Sequence, residues 1–96
     1  MQGVNGIYLK GKGYTQIFAC ARYESGVEFP MCVVGAGLTF EIAMRYAGSD
    51  VNNYLDRGWQ IDMEYEEHNF YECVLLSPNG IDHVRIVANL CPLVHE

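Results

Sequence analysis

Hydrophobic and polar positions alternate most regularly in the last third of the chain. Over residues 59–66, apolar and polar side chains follow one another with period two, which is typical of a β-strand with one buried face. Residues 70–76 and 81–90 predict two further strands, and Ser77-Pro78-Asn79-Gly80 between them predicts a tight turn. We therefore expect three consecutive antiparallel strands, the first with its apolar side chains turned inward and its acidic ones turned to solvent.

The first third of the chain is also rich in β-branched and aromatic residues. Residues 7–9 and 14–22 predict two strands, and residues 27–34 predict a third with apolar side chains at every second position. Pro30 cannot donate a backbone hydrogen bond, so it marks this third strand as an edge or bulged strand. We expect Gly35-Ala36-Gly37 to end the hairpin.

The middle of the chain carries helical spacing. Thr39 is a suitable N-cap, and the apolar residues that follow it recur at three- and four-residue intervals up to Ala47. Gly48 fits the end of this helix, and residues 50–57 predict a second, short helix that Gly58 closes. A single longer helix with a kink at Gly48 is the alternative, and we favour two pieces.

Together these elements predict an α+β fold in a single acidic domain over residues 1–96. We expect an antiparallel β-sheet of about five to six strands, in the order β-β-β-α-α-β-β-β, with one or two helices packed on one face. The sequence contains no apolar run long enough for a membrane helix and no secretion-signal pattern. We therefore expect a cytoplasmic protein (in the host cytoplasm if phage-encoded) that does not contact membranes.

Charge is distributed unevenly along the chain. Residues 1–48 hold four basic and three acidic side chains, whereas residues 49–96 hold two basic and nine acidic, so the formal charges are +1 and −7. A surplus of this sign repels phosphate backbones, so direct nucleic-acid binding is not expected. The negative charge either attracts a basic protein during the encounter or serves only to keep a small protein in solution.

The acidic residues concentrate at one place, and this cluster is the candidate site. Five acidic residues between positions 62 and 72 have no Lys or Arg among them. On an extended strand, alternate carboxylates stand about 6–7 Å apart, which roughly resembles the phosphate spacing of a nucleic-acid strand. Either the cluster binds Lys and Arg of a partner or it is an ordinary solvated sheet face. The candidate partner-binding residues are Asp62, Glu64, Glu66, Glu67, Tyr71 and Glu72.

No residue pattern indicates a metal, a cofactor or catalysis. The four cysteines form no Cys-x-x-Cys pair and are expected to be buried thiols. A zinc site from Cys73, His83, Cys91 and His95 lacks the paired close spacings of structural zinc sites. The strongest enzyme hypothesis places Cys73 beside His68 or His83, without an oxyanion element. We therefore expect no cofactor, no metal and no enzymatic activity.

The profile of a short, acidic, motif-free domain is similar to that of phage-encoded anti-CRISPR or anti-restriction inhibitors and of toxin-immunity proteins. This resemblance implies a non-enzymatic inhibitor or interaction protein whose acidic sheet face binds a basic, nucleic-acid-handling protein or a toxin. One alternative is a small-molecule-binding domain or enzyme subunit with a pocket between helix and sheet. A second is a self-associating module, a homodimer that pairs through an exposed edge such as the Pro30 strand.

Overall fold

The computed structural model describes residues 8–9, 13–14, 16–24, 26–27 and 30–91. Expectations for residues 7, 15, 25, 28–29 and 92–96, His95 included, lie outside the described residues. The elements, in chain order, are β1 (Tyr8–Leu9), β2 (Gly13–Tyr14), β3 (Ile17–Glu24), β4 (Cys32–Gly37), α1 (Phe40–Leu55), β5 (Gln60–Glu67), β6 (Phe70–Leu76) and β7 (His83–Cys91).

Five of the strands form one antiparallel sheet in the order β4-β3-β7-β6-β5. β7 lies at its centre between β3 and β6, and β4 and β5 are its two edges. The short strands β1 and β2 pair with each other in a separate two-stranded ladder. The α+β class and the antiparallel sheet are confirmed. Within the described residues, four strands rather than three precede a single helix, because the strand predicted for residues 14–22 is divided between β2 and β3.

α1 covers one face of the sheet, which we call the helix face. We call the opposite side the open face. Because every second side chain of a strand lies on the same face, alternate residues of β3, β6 and β7 point toward α1. The helix buries these side chains. The buried core consists of Phe18, Cys20, Tyr71, Cys73, Leu75, Val84, Ile86 and Ala88 from the sheet and Ala43, Ala47, Val51 and Tyr54 from α1.

α1 is one helix of 16 residues, so the expectation of two helices is wrong. Its buried side chains continue past Gly48 at helical spacing, from Ala43 and Ala47 to Val51 and Tyr54. Gly48 is exposed and does not have the positive φ that would end a helix there. Continuous burial on both sides of Gly48 outweighs the weak helix propensity of a single glycine.

The two predicted helix boundaries are confirmed. The Oγ1 of Thr39 accepts a hydrogen bond of 3.3 Å from the backbone N–H of Ile42. At the other end, Gly58 has φ +91° and donates to the carbonyl of Leu55, while Trp59 donates to the carbonyl of Tyr54. This pair of bonds satisfies carbonyls that the last helical turn leaves free, and it needs a residue such as glycine at position 58.

Two glycines of β4 allow α1 to pack close to the sheet. A Cβ at Gly35 would lie 2.5 Å from the ring of Tyr46, and a Cβ at Gly37 would overlap Ile42. The hairpin ends at Gly37, within the predicted segment 35–37, but Gly35 and Gly37 belong to the strand that supports the helix, so the strand runs past its predicted end at residue 34. The strand begins at Cys32, after Pro30, and its position at the sheet edge agrees with the prediction.

A buried ion pair ties α1 to β3. Asp50 is only 4% exposed, and its two carboxylate oxygens accept hydrogen bonds of 2.9 and 2.7 Å from Arg22. The hydrogen bond to Asp50 raises the pKa of Arg22 above its ordinary value. Because an unpaired buried carboxylate is costly, this bidentate contact fixes the helix in one position on the sheet.

The turn between β6 and β7 forms as predicted. Gly80 has φ +76° and donates a 2.9 Å hydrogen bond to the carbonyl of Ser77. The adjacent strands pair from Leu76 with His83 to Phe70 with Asn89. Within the described part of the chain, no helix has the length and apolar character needed to cross a membrane.

Candidate functional site

The candidate site lies on β5, an edge strand of the sheet. β5 pairs with β6 on one side, and all eight of its residues are exposed. β5 follows directly from the helix end at Gly58, and the ring of Trp59 anchors its start by packing edge-on against Tyr54 with ring centroids 4.9 Å apart. The strand predicted for residues 59–66 is therefore confirmed as extended structure.

An irregularity in the pairing of β5 changes the direction of its side chains. Ile61 pairs with Leu75, but Met63 pairs with Val74, so the register shifts by one residue at Asp62. From Met63 onward, the odd-numbered residues lie on the open face and Glu64 and Glu66 lie on the helix face. The expectation of a single acidic face is therefore wrong, because the acidic residues are divided between both faces.

The same shift corrects part of the expectation that the apolar residues of β5 turn inward, because Met63 and Tyr65 lie on the open face. Ile61 precedes the shift and lies on the helix face, where it pairs with Leu75. Ile61, Met63 and Tyr65 are 42%, 41% and 47% exposed. The ring of Tyr65 lies over the open face, with its centroid 6.0 Å from that of Phe70. These side chains add apolar contact area to an otherwise acidic strand.

On the open face, Asp62 lies near a histidine of β7. The Oδ2 atom of Asp62 is 3.5 Å from Nε2 of His83, and both side chains are substantially exposed. Next to this pair, Glu72 is neutralised by Arg85, whose Nη1 donates a 3.2 Å hydrogen bond to Oε2. The guanidinium of Arg85 also stacks on the ring of Tyr23, 4.4 Å from its centroid. Glu72 is therefore the member of the predicted set that has an arginine partner.

On the helix face, Glu64 has a fixed geometry. Its Oε2 accepts a 2.6 Å hydrogen bond from the hydroxyl of Tyr71. Tyr71 itself is 6% exposed and belongs to the core, so this candidate partner-binding residue offers little surface to a partner. Burial, together with the hydrogen bond to Glu64, raises the pKa of Tyr71 above its ordinary value. The hydroxyl of Tyr71 therefore holds the carboxylate of Glu64 in position.

The remaining two carboxylates are at the far end of β5. Glu67 accepts a 2.6 Å hydrogen bond from the hydroxyl of Tyr65, a contact that raises the pKa of Tyr65. Glu66 has no hydrogen bond or ion pair among the residues that the structure describes. We call Asp62, Glu64, Glu66 and Glu67 the acidic edge, since none of the four pairs with a lysine or arginine of the described chain.

The geometry does not bring together the residues of the enzyme and zinc hypotheses. Cys73 is buried on the helix face, whereas His83 lies on the open face, because their pairing partners Ile86 and Leu76 point to opposite sides. Burial also raises the pKa of Cys73, which disfavours a thiolate nucleophile. The described residues contain no group of three or more His, Cys, Asp or Glu side chains arranged to hold a metal ion.

The backbone of β5 is a part of the candidate site that the sequence does not indicate. An edge strand presents unpaired N–H and C=O groups along its outer side. The charges on β5 were a usable signal, because natural edge strands often carry charged residues that discourage unwanted pairing. From the sequence, only the strand with Pro30 is predicted to lie at a sheet edge. That the acidic cluster also lies on an edge strand is seen only in the structure.

Comparisons with models of protein families, with curated proteins and with solved structures find no match for this chain, so its site is interpreted from its own geometry.

Proposed function

We propose that this protein is a non-enzymatic binding protein that docks on a basic surface of another protein through β5. The partner is a nucleic-acid-handling protein whose Lys/Arg channel receives the acidic edge, and the protein acts as its inhibitor in the cytoplasm. The observation that carries the proposal is an edge strand whose eight residues are all exposed and which has four carboxylates and no lysine or arginine. The other edge strand, β4, has no comparable charge.

The division of the acidic edge between two faces favours a channel over a flat surface. Glu64 and Glu66 extend from the helix face, about 6.6 Å apart along the strand, while Asp62 and Glu67 extend from the open face. A strand with carboxylates on both sides can contact basic residues on both walls of a cleft. Nucleic-acid channels have such walls because they neutralise phosphates from several directions.

The uncharged parts of β5 supply contacts that charge alone does not. Met63 and Tyr65 are half exposed next to the carboxylates, and both residue types are enriched in the centres of protein interfaces. The outer backbone groups of β5 can also pair with an extended segment of the partner, as in β-strand addition. Apolar contact and backbone pairing would provide affinity, and the carboxylates would select a basic partner.

The test is a binding titration with a defined basic probe, an extended peptide in which lysine alternates with threonine. We expect the double variant Glu64→Lys/Glu66→Lys to bind at least about tenfold more weakly than the unmodified protein at low salt. Affinity for the unmodified protein should fall as salt rises, because exposed charges are screened over about 10 Å at 0.1 M salt. Isothermal titration calorimetry measures both effects.

A matched control carries the same change in net charge elsewhere. Glu41 and Asp56 are exposed and lie at the N-terminal and C-terminal ends of α1. A lysine interacts unfavourably with the helix dipole at the first position and favourably at the second, so the two effects of Glu41→Lys/Asp56→Lys on stability oppose each other. This control should keep most of the binding. Equal losses in the two double variants would show that the peptide senses net charge alone, and the proposal would fail.

A further inference from the structure

The second edge of the sheet, β4, differs from β5 in charge. Within the described residues, β4 pairs with β3 alone, so its outer backbone groups are open. Residues 30–40 contain no Asp, Glu, Lys or Arg. Charge and a register break at the edge are the usual devices that keep an edge strand from pairing with another chain. β5 has both devices, whereas β4 has a register break at Val34 but no charge.

The side chains of β4 and its flanks are apolar and exposed. Val33 and Leu38 are each 62% exposed, and Met31 is 43% exposed. Val33 lies on the open face opposite Ala21, and the helix-face positions Gly35 and Gly37 carry no side chain that would obstruct a neighbouring strand. We call this strand the neutral edge.

We propose that the neutral edge pairs with the neutral edge of a second copy, strand β4 antiparallel to strand β4 about a two-fold axis. The pairing joins the two five-stranded sheets into one continuous sheet with both helices on the same side. This inference goes beyond the proposed function and does not depend on it.

The distribution of charge identifies a second copy as the occupant. The chain has a formal net charge of −6, and the acidic edge lies four strand positions away from β4, about 19 Å across the sheet. That separation exceeds the screening length of about 8–10 Å at moderate salt, so two copies can meet at β4 without strong repulsion. Pairing at β5 would instead bring two sets of carboxylates together. A strongly charged partner is not favoured, because the neutral edge has no opposite charge to pair with it.

The expected dimer is a weak one. β4 has six residues, so the contact is small compared with a standard protein interface. A dissociation constant on the order of 10 µM is reasonable for such an edge contact. In the dimer the two acidic edges lie at the outer ends of the joined sheet and both stay accessible.

Sedimentation equilibrium of the full chain tests the inference. At about 100 µM, the unmodified protein should sediment at close to twice its 10.8 kDa mass, and it should dissociate on dilution. Val33→Lys places a charge on the neutral edge at an exposed site, so its dissociation constant should rise at least about tenfold. Met63→Lys is the matched control, since it adds the same charge to an exposed, open-face site on the other edge strand; it should leave the dimer intact.

A second measurement keeps the inference testable if Val33→Lys lowers stability. Exchange of the backbone amides of β4 in the unmodified protein should slow as protein concentration rises, while that of β5 should not change. The proposal would be overturned if the protein is a monomer at every concentration or if Val33→Lys leaves the dimer unchanged. It would also be overturned if amide protection depends on concentration at β5 instead of β4.

Discussion

Asp62 is the residue that decides how the acidic side chains of β5 are arranged. The period-two pattern of residues 59–66 predicts an extended strand correctly, but it assumes an unbroken alternation. The register shift at Asp62 moves Glu64 and Glu66 to the helix face and Met63 to the open face. A pattern of residue types does not reveal such a shift, because it depends on how β5 pairs with β6.

At the same scale, Cys20 predicts an alkaline loss of stability. Burial, and to a lesser extent the carboxylate of Asp50, raises the pKa of Cys20 from 9.0 to about 12. Between these two values the unfolded chain releases the thiol proton and the folded chain keeps it. Stability should therefore fall with rising pH, by up to about 1.4 kcal/mol per pH unit from this group. Urea unfolding at a series of pH values measures the slope.

Cys20→Ala separates this group from others that titrate in the same range. Cys73 and Tyr71 also have raised pKa values and should contribute to the loss in both proteins. The variant should lose stability less steeply than the unmodified protein between pH 9 and about 12. Identical slopes would mean that Cys20 ionises in the folded protein as readily as in the unfolded chain.

At the scale of elements, the strands of the last third and the ends of α1 follow from local sequence, whereas the bounds of β2, β3 and β4 and the length of α1 do not. Thr39 and Gly58 are local signals, and both act as the sequence predicts. Gly48 is also a local signal, but the buried positions before and after it outweigh it. The role of Gly35 was invisible in the sequence because it depends on the ring of Tyr46, which packs against it from another element.

Two glycine variants should change stability in opposite directions. Gly35→Ala inserts a Cβ 2.5 Å from the ring of Tyr46 and should lower the free energy of unfolding by about 1–3 kcal/mol. Gly48→Ala meets no atom within 4 Å and should raise the free energy of unfolding by about 0.5–1 kcal/mol because alanine is the better helix former. Chemical denaturation measures both. If Gly35→Ala is neutral, α1 does not rest on β4 as closely as described.

At the scale of the whole molecule, the sheet separates two kinds of edge. The strand order places the neutral edge at one side and the acidic edge at the other. The asymmetry of charge between the two halves of the sequence already indicates an acidic region. It does not indicate an edge, because the position of β5 in the sheet depends on long-range pairing that local patterns do not encode. The α+β class follows from local patterns, whereas the proposed binding surface depends on topology.

Backbone amide chemical-shift mapping by NMR tests directly whether β5 is the binding surface. The lysine–threonine peptide is added to the unmodified protein at low salt. The largest shifts should fall on Gln60–Glu67, and the amides of Cys32–Gly37 should change little. Shifts that cluster away from β5, with the amides of Gln60–Glu67 unchanged at saturation, would contradict the proposed binding surface.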